Sequence, residues 1–239
     1  FYVGCLGSYD EYGQKMAKSI ADLLSEAGVS FGILGDEEGC CGNEVHALGE
    51  MTLFQTLAEK NIQKFKELGV KRVITLSPHS YNAMKTLYPS FGANFKVQHY
   101  TEFLHDLIGK ENIKLSETKA KVTYHDPCYL GRYNTIYDVP REILRSIPGI
   151  ELVEMPRNRE NSFCCGGGSG NFVTDLLRGS EESPNRIRVR EAYETGAKIL
   201  AVACPSCMTM LMSAIKSEGL DDKLFIKDIS QIVRQAMSH

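Results

Sequence analysis

Eight cysteines carry most of the chemistry that this chain of 239 residues could perform. They are Cys5, Cys40, Cys41, Cys128, Cys164, Cys165, Cys204 and Cys207. Disulfide frameworks belong to small secreted domains with little hydrophobic core, whereas 43% of these residues are hydrophobic. Cysteines grouped within a core-rich chain indicate metal binding or redox chemistry instead.

Both halves of the chain carry the same three motifs: a single cysteine, an adjacent cysteine pair followed by glycine, and four residues with proline second. In the second half these motifs use Cys128, Cys164, Cys165, Cys204 and Cys207. In the first half the matching positions are Cys5, Cys40, Cys41, Ser77 and Ser80. Cys128 lies 123 residues after Cys5, and Cys207 lies 127 residues after Ser80. The chain therefore contains two copies of one unit of about 120 residues.

Short apolar segments alternate with helical segments in each copy. Strands are predicted at residues 1–5, 29–35, 71–76, 121–128, 150–155 and 197–204. Helices are predicted at residues 11–28, 43–69, 78–89, 139–147, 183–196 and 205–219. This alternation predicts an α/β fold that duplicates a parallel-sheet unit, with one cysteine-rich site per copy. The polar segment 108–121 separates the copies, which we place at residues 1–115, the first repeat, and 116–239, the second repeat.

The cysteine motifs follow predicted strands or begin predicted helices, where parallel sheets place ligand sites and helical N–H groups favour thiolates. The second repeat supplies five thiols from three segments. Structural zinc needs four ligands, and a thioredoxin-like pair would use only Cys204 and Cys207. Thiolates are the usual ligands of iron–sulfur clusters. The second repeat therefore predicts such a cluster, with zinc and a redox pair as alternatives.

Three segments of the second repeat resemble the cysteine-rich CCG-domain proteins, which include heterodisulfide reductase catalytic subunits and related iron–sulfur oxidoreductases. These segments are "HDPCYLGRYNTIYDVPREIL", "SFCCGGGSGN" and "AVACPSCMTML", and the resemblance extends over essentially the whole chain. It implies a duplicated α/β fold and a [4Fe-4S] cluster, either noncubane with all five cysteines or cubane with four. The implied ligands are Cys128, Cys164, Cys165, Cys204 and Cys207.

The first repeat departs from this pattern because Ser77 and Ser80 replace the last cysteine pair. Serine is a poor cluster ligand, since its alkoxide is costly at neutral pH whereas a bound thiol deprotonates readily. Three states are open: an empty pocket, a cluster with unusual ligands, and a zinc site. The zinc site would use three thiolates and one imidazole, those of Cys5, Cys40, Cys41 and His79.

Polar residues near the second cysteine set offer further candidates. His125 and Asp126 precede Cys128 and could transfer protons to a thiolate leaving group, which makes His125 the candidate catalytic residue. The alternative is that both residues only orient the cysteine turn. Arg132 and Arg157 could bind an anionic substrate or form surface ion pairs.

The resemblance implies an iron–sulfur oxidoreductase subunit that exchanges electrons with a thiol or disulfide substrate. One alternative is an electron relay between a flavoprotein, such as electron-transfer flavoprotein or a hydroxy-acid dehydrogenase, and membrane quinone. A second alternative is a zinc-binding assembly module without redox function. A cavity beside the cluster would favour the disulfide reductase, whereas a closed cluster would favour the relay.

The bulk composition limits the partners. The chain has 27 basic and 30 acidic residues and no basic block, so we expect no nucleic acid. It has no apolar run long enough to span a membrane, which predicts a cytoplasmic protein that reaches membranes only through partners. The resemblance implies ferredoxin-like, flavoprotein or membrane cytochrome b subunits as those partners. Because the chain opens without Met, inside a strand-like run, we expect it to be part of a longer protein.

Overall fold

The computed structural model describes residues 1–168, 170–174, 176–177 and 179–237. The α-helices of this part are α1 Gly4–Tyr9, α2 Glu11–Glu26, α3 Asn43–Ala47, α4 Met51–Glu67, α5 Pro78–Asn82, α6 Tyr100–Gly109, α7 Asp138–Ser146, α8 Asn171–Thr174, α9 Pro184–Glu194, α10 Pro205–Ser217 and α11 Ile229–Ala236. The strands are β1 Arg72–Thr75, β2 Lys96–His99, β3 Ala120–Tyr124, β4 Ile150–Val153, β5 Ile199–Val202 and β6 Phe225–Asp228.

The strands form two parallel sheets, one for each half of the chain. The first sheet has the order β1-β2, and the second has the order β4-β3-β5-β6. All strand pairs in the described part of the chain are parallel, and helices connect them. The prediction of a duplicated parallel α/β unit is therefore confirmed. The division predicted at residues 115 and 116 falls between α6 and β3, and its exact position stays a prediction.

Two of the predicted strands in the first half differ from the structure. Residues 29–34 form no strand, because glycines at 32 and 35 interrupt the short apolar run, and glycine in a strand adds no side-chain packing. The prediction at residues 29–35 is therefore wrong. Near the N-terminus only Tyr2 pairs with the first sheet, through a bridge to Thr75, because α1 begins two residues later.

The helix predicted at residues 43–69 is divided into α3 and α4. Gly49 lies between the two helices with a φ of +87°, a left-handed conformation that glycine adopts at little cost. The structure also adds two strand–helix units that the sequence did not predict, β2-α6 and β6-α11. Their strands have only four residues and mix apolar with polar side chains, so no apolar run marks them.

One hydrophobic core joins the two halves of the chain. Helix α2 of the first half packs against α10 and α11 of the second half. Met16 and Ile20 of α2 belong to the same buried cluster as Leu211 and Val233. A smaller cluster around Phe54, in the first half, lies between α4 and the first sheet. None of the helices in the described part of the chain has the length and apolar character needed to cross a membrane.

Helices α6 and α11 begin in the same way, which provides a structural marker of the duplication. His99 and Asp228 end β2 and β6, and each side chain accepts a hydrogen bond from the following helix in a capping box. Burial lowers the pKa of His99 to about 3 and raises the pKa of Asp228 to about 6. The Tyr100 hydroxyl donates to Asp228 Oδ2 over 2.7 Å and so links the two caps. In each cap, burial shifts the pKa in the direction that favours the neutral side chain.

Candidate metal centre

The cysteines of the second repeat are positioned by two neighbouring strands and one glycine-rich loop. Cys128 follows β3, and Cys204 follows β5 and precedes α10. Pro205 occupies the first turn of α10, where the missing N–H of proline costs no hydrogen bond. Because β3 and β5 are adjacent and parallel, their carboxyl ends meet at one edge of the sheet. The Cys164–Cys165 loop approaches the same edge.

The five thiols form a continuous chain of contacts. Cys165 Sγ and Cys207 Sγ lie 3.3 Å apart. Further hydrogen bonds join Cys128 to Cys164, Cys164 to Cys165, and Cys204 to Cys207. The inner members Cys165, Cys204 and Cys207 are at most 3% exposed, whereas Cys128 and Cys164 are only partly buried. The structure therefore gathers all five predicted ligands, with three sealed inside and two facing outward.

Two thiols of this set, Cys164 and Cys204, have pKa values lowered well below the ordinary value of a thiol. Hydrogen bonds from Cys128 and Cys165, and a backbone N–H of Gly166 at 3.2 Å from the Cys164 sulfur, lower the pKa of Cys164 to about 2. The same contacts raise the pKa of Cys128, which donates to Cys164. A site of this kind holds its first thiolate without a metal, and thiols that bind a metal release their remaining protons.

His125 places a hydrogen-bond donor beside the buried thiols. The ring is fully buried, and its Nδ1 accepts a hydrogen bond from Arg188 Nε over 3.1 Å, so Nε2 carries the proton. Nε2 has no hydrogen-bond partner among the described residues. One ring nitrogen and the sulfurs of Cys165 and Cys207 all lie within 4.8 Å of one another.

This arrangement fits a sulfur-rich metal centre, because a buried donor without a partner is costly unless a thiolate or sulfide accepts its hydrogen bond. Burial and the positive charge of Arg188 lower the pKa of His125 to about 3. The neutral ring offers the site a donor. Proton transfer by His125 stays a prediction.

Asp126 is engaged by a buried arginine. Its carboxylate accepts two hydrogen bonds from Arg141, over 2.7 and 2.8 Å, and a third from the backbone N–H of Arg159. Arg141 is fully buried and also donates to Glu154. These bonds favour the orienting role for Asp126. Sequence reasoning missed Arg141 and Arg188, although Arg188 shares a helix face with the buried Ala192 one turn later, which was the available signal.

A cavity of about 410 Å³ opens at the outer edge of the thiol set. It is lined by Cys128, Tyr129, Arg132, Tyr133, Cys164, Gly166 and Gly168. The two tyrosine rings stack with centroids 4.6 Å apart, and Arg132 Nη2 donates to the Ser162 carbonyl over 2.8 Å. Arg157 instead pairs with Glu191 at 2.5 Å and lies over Phe163. Of the two candidate anion-binding arginines, only Arg132 faces this cavity.

The cysteines of the first repeat surround a smaller cavity of about 150 Å³. Cys5 and Cys40 are exposed, and Cys41 is buried. The serines at the ligand positions have structural partners: Ser77 Oγ accepts from the backbone N–H of His79, and Ser80 hydrogen-bonds Cys41. Both hydroxyls at the start of α5 are therefore engaged in hydrogen bonds, at the two positions where the second repeat has thiols.

His79 lines this smaller cavity but contacts the other repeat. Its Nδ1 lies 2.5 Å from Glu44 Oε1, and the imidazole also hydrogen-bonds Cys204. Burial would lower the pKa of His79, but the bonds with Cys204 and Glu44 raise it to about 9. Within the described part of the chain, the four residues predicted to bind zinc do not form a compact ligand group of the kind that includes His125. Zinc binding by them stays a prediction.

The comparison with protein families identifies the class. A family model described as "CCG: Cysteine-rich domain" matches residues 1–85 and 122–212, so the chain belongs to this family and contains its domain twice. The resemblance stated from the sequence is confirmed.

Several curated relatives of this chain are named as oxidoreductases or reductases. A "Probable iron-sulfur-binding oxidoreductase FadF" of Bacillus subtilis is 44% identical over 99% of this chain and 34% of its own length. An "EtfAB:quinone oxidoreductase" of Syntrophomonas wolfei is 36% identical, again over 99% and 34%. One subunit of the "Dihydromethanophenazine:CoB--CoM heterodisulfide reductase" of Methanosarcina mazei is 36% identical over 99% and 58%. The chain thus spans about a third of the length of the first two relatives.

Proposed function

We propose that this chain is the electron-transferring module of an iron–sulfur oxidoreductase that acts on a thiol or disulfide. The second repeat, residues 116–239, would hold a [4Fe-4S] cluster through Cys128, Cys164, Cys165, Cys204 and Cys207. When bound, such a cluster accepts and donates single electrons at a potential set by its surroundings. The observation that carries the proposal is the cavity that reaches Cys128 and Cys164, since a relay needs no substrate space there.

The residues around the thiols have different roles on the buried side and on the open side of the site. The sealed inner thiols exclude water from one side, and His125 supplies a neutral N–H donor beside them. On the open side, the stacked rings of Tyr129 and Tyr133 form an apolar wall, and Arg132 adds a positive charge. We infer that this wall receives a small thiol or disulfide and that Arg132 favours one with an anionic group.

We further propose the noncubane form, in which all five cysteines take part. The uninterrupted contacts from Cys128 to Cys204 support it, because a four-cysteine cubane would leave one of these adjoining thiols without a role. Counting free thiols in the denatured, cluster-loaded protein after rapid alkylation under native conditions tests this. Because Cys41 and the three inner thiols are buried in either form, the partly exposed Cys128 and Cys164 decide: the five-cysteine form protects both, and alkylation of either would favour the cubane.

A second candidate is the relay from a flavoprotein to membrane quinone. The first repeat has serine at two of the five matching positions, so a mechanism with a five-cysteine cluster in each repeat is not available to this chain. A relative named EtfAB:quinone oxidoreductase also matches nearly the whole chain. In this version flavoprotein, ferredoxin-like or cytochrome partners would supply and remove the electrons, and the chain would reach the membrane through them.

Anaerobic purification followed by metal analysis and electron paramagnetic resonance tests the proposal. Iron and sulfide of about four each per chain would support it. Zinc without iron would overturn it in favour of the assembly module. In the same samples, zinc at about one per chain beside iron, lost in Cys40→Ser, would support the zinc site of the first repeat.

A substrate test separates reductase from relay. Addition of 2-mercaptoethanol or 3-mercaptopropionate should change the spectrum of the oxidised cluster if a thiol enters the cavity. Arg132→Met should weaken the response to the anionic 3-mercaptopropionate and leave the response to the neutral thiol unchanged. A cluster whose spectrum is unchanged by both thiols, but which a flavoprotein reduces, would favour the relay.

A further inference from the structure

His79 and Glu44 connect the first repeat to the cysteine site of the second. Glu44 follows the Cys40–Cys41 pair, and its Oε2 accepts the backbone N–H of Gly170 in the glycine-rich loop over 3.0 Å. Its Oε1 contacts His79 Nδ1 at 2.5 Å. A carboxylate of the first repeat therefore binds the backbone of the second repeat and an imidazole at the same time.

The imidazole of His79 is held in one position. Its side chain is 11% exposed, and its ring packs on Tyr129 with centroids 4.2 Å apart. Glu44 occupies one side of the ring, and the hydrogen bond with Cys204 occupies another. Because a carboxylate and a ligand thiolate both accept hydrogen bonds, the ring donates to both as an imidazolium, with a proton on each nitrogen.

We propose that His79 is a positioning residue that donates a hydrogen bond from the first repeat to the Cys204 sulfur and raises the reduction potential of the cluster in the second repeat. Glu44 orients the imidazole for this bond. Hydrogen bonds to ligand sulfurs withdraw negative charge and stabilise the reduced cluster. The inference rests on the proposed function, because it requires a cluster on Cys204.

The duplication supports this assignment through the position that corresponds to His79. His79 is the third residue of its four-residue motif, and the third residue of the second motif is Ser206. Ser206 lines the cavity of the first repeat, as His79 reaches the thiols of the second. Each repeat therefore sends this side chain toward the other repeat's site. His79 lines the same small cavity as Cys5 and Cys40, but its Nδ1 is occupied by Glu44.

Redox titration followed by electron paramagnetic resonance tests the role of His79. His79→Leu removes the donor, and we expect the equilibrium for cluster reduction to weaken about tenfold, a negative shift of about 59 mV for one electron. His79→Gln, which keeps an N–H donor, should recover part of the shift. Glu44→Gln should produce a smaller shift in the same direction. The control is His105→Leu, because His105 also pairs with a glutamate, Glu142, at the protein surface.

Spin-echo measurements on protein labelled with ¹⁵N-histidine identify the contact directly. A weak nitrogen coupling that is present in wild type and lost in His79→Leu is expected for a hydrogen-bonded sulfur. A strong coupling would show direct ligation of iron, and an unchanged potential in His79→Leu and Glu44→Gln would show no influence; either result overturns the inference. If His79→Leu fails to retain its cluster, the reduction potential of Glu44→Gln decides whether the inference holds. A wild-type protein without iron would instead refute the proposed function.

Discussion

The same turn serves different purposes in the two repeats. Where the second repeat begins α10 with Cys204, the first repeat begins α5 with Ser77. Ser77 Oγ caps its own helix by accepting the backbone N–H of His79, whereas Cys204 directs its sulfur to other thiols and to the His79 imidazole. The difference teaches that a hydroxyl at this position satisfies a backbone N–H of its own turn, whereas a thiol there leaves its sulfur to contact other groups.

The position three residues before the first cysteine of each repeat shows the same change. His125 lies 123 residues after Tyr2, and both are buried. The Tyr2 hydroxyl donates to the Gly39 carbonyl over 2.5 Å, whereas His125 keeps a buried nitrogen without a partner in the part of the protein that the structure describes. At this position the first repeat satisfies its buried polar group within the protein, whereas the second repeat leaves a buried donor beside the thiols without a partner among the described residues.

The largest effect should come from matched substitutions of the two cysteine pairs. Cys164→Ser removes a thiol of the second repeat whose pKa is strongly lowered, and we expect most of the iron to be lost because an alkoxide does not replace a thiolate at neutral pH. Cys40→Ser at the same position of the first repeat should leave iron unchanged. Iron and sulfide assays after anaerobic reconstitution measure both. Equal loss of iron in the two variants would show that the cysteine pairs of the two repeats do not differ in iron binding.

The next largest effect concerns how each repeat holds the turn before its first cysteine. Asp126→Ala removes one of the two carboxylates that pair with the buried Arg141, and we expect a loss of about 3 kcal/mol in the free energy of unfolding because Glu154 still compensates part of the charge. In the first repeat, the partly buried Glu38 accepts the N–H groups of Val3 and Gly4 instead. Glu38→Ala should lower the free energy of unfolding by less than Asp126→Ala does. Chemical denaturation monitored by circular dichroism provides the values, and a milder loss for Asp126→Ala would contradict the ranking.

The capping residues predict opposite responses to acid. Because the native pKa of His99 is about 3, below its ordinary 6.5, stability from the neutral ring is present above pH 6.5 and lost as pH falls toward 3. Asp228, with its pKa raised to about 6, contributes stability that instead grows as pH falls from 6 toward 3.8. Between pH 6.5 and 5, His99 should lower the free energy of unfolding of the wild type by about 2 kcal/mol. His99→Asn should not show this decrease.

Thermal unfolding at several pH values measures this linkage. Asp228→Asn is the matched variant, and it should make the acid-induced loss of stability steeper because the opposing contribution disappears. An identical pH profile for wild type and His99→Asn would show that the buried ring does not govern the acid response.

The smallest effect should come from the helix cap itself. Ser77→Ala removes the hydrogen bond to the first turn of α5, and we expect a loss of about 1 kcal/mol in the free energy of unfolding with no loss of iron. Ser77→Cys should cost a similar amount. If Ser77→Ala instead releases iron, the serine contributes to a cluster and the two repeats are less different than their hydrogen bonds indicate.

The parts of the fold that depend on local pattern could be predicted from the sequence. Repeated spacing and alternating segments indicated the duplication, the parallel sheets and the grouping of Cys128 with the later cysteines at one sheet edge. The segment at residues 29–35 was mispredicted, because its short apolar run resembles a strand until tertiary pairing is considered. The strands β2 and β6 were missed because four-residue strands carry little periodicity.

The electrostatic partners of the site could not be predicted, since they join residues far apart in the chain. Arg188 reaches His125 across 63 residues, and Glu44 reaches Gly170 across 126. The pairing of His79 with Cys204 likewise depends on how the two repeats face each other. Spacing identifies which residues could bind a metal, but only packing shows that a histidine of one repeat points at a cysteine of the other.

The packing of α2 against α10 and α11 has a consequence for the history of the chain. Met16 and Ile20 complete the core of the second half, so a second repeat without its neighbour would present an uncovered apolar surface to water. Because the two repeats share one hydrophobic core, the chain cannot lose one repeat and keep a stable fold, even when that repeat lacks two of the five cysteines. Selection for folding alone would preserve the repeat with fewer cysteines, while the positions of Ser77 and Ser80 would be free to diverge.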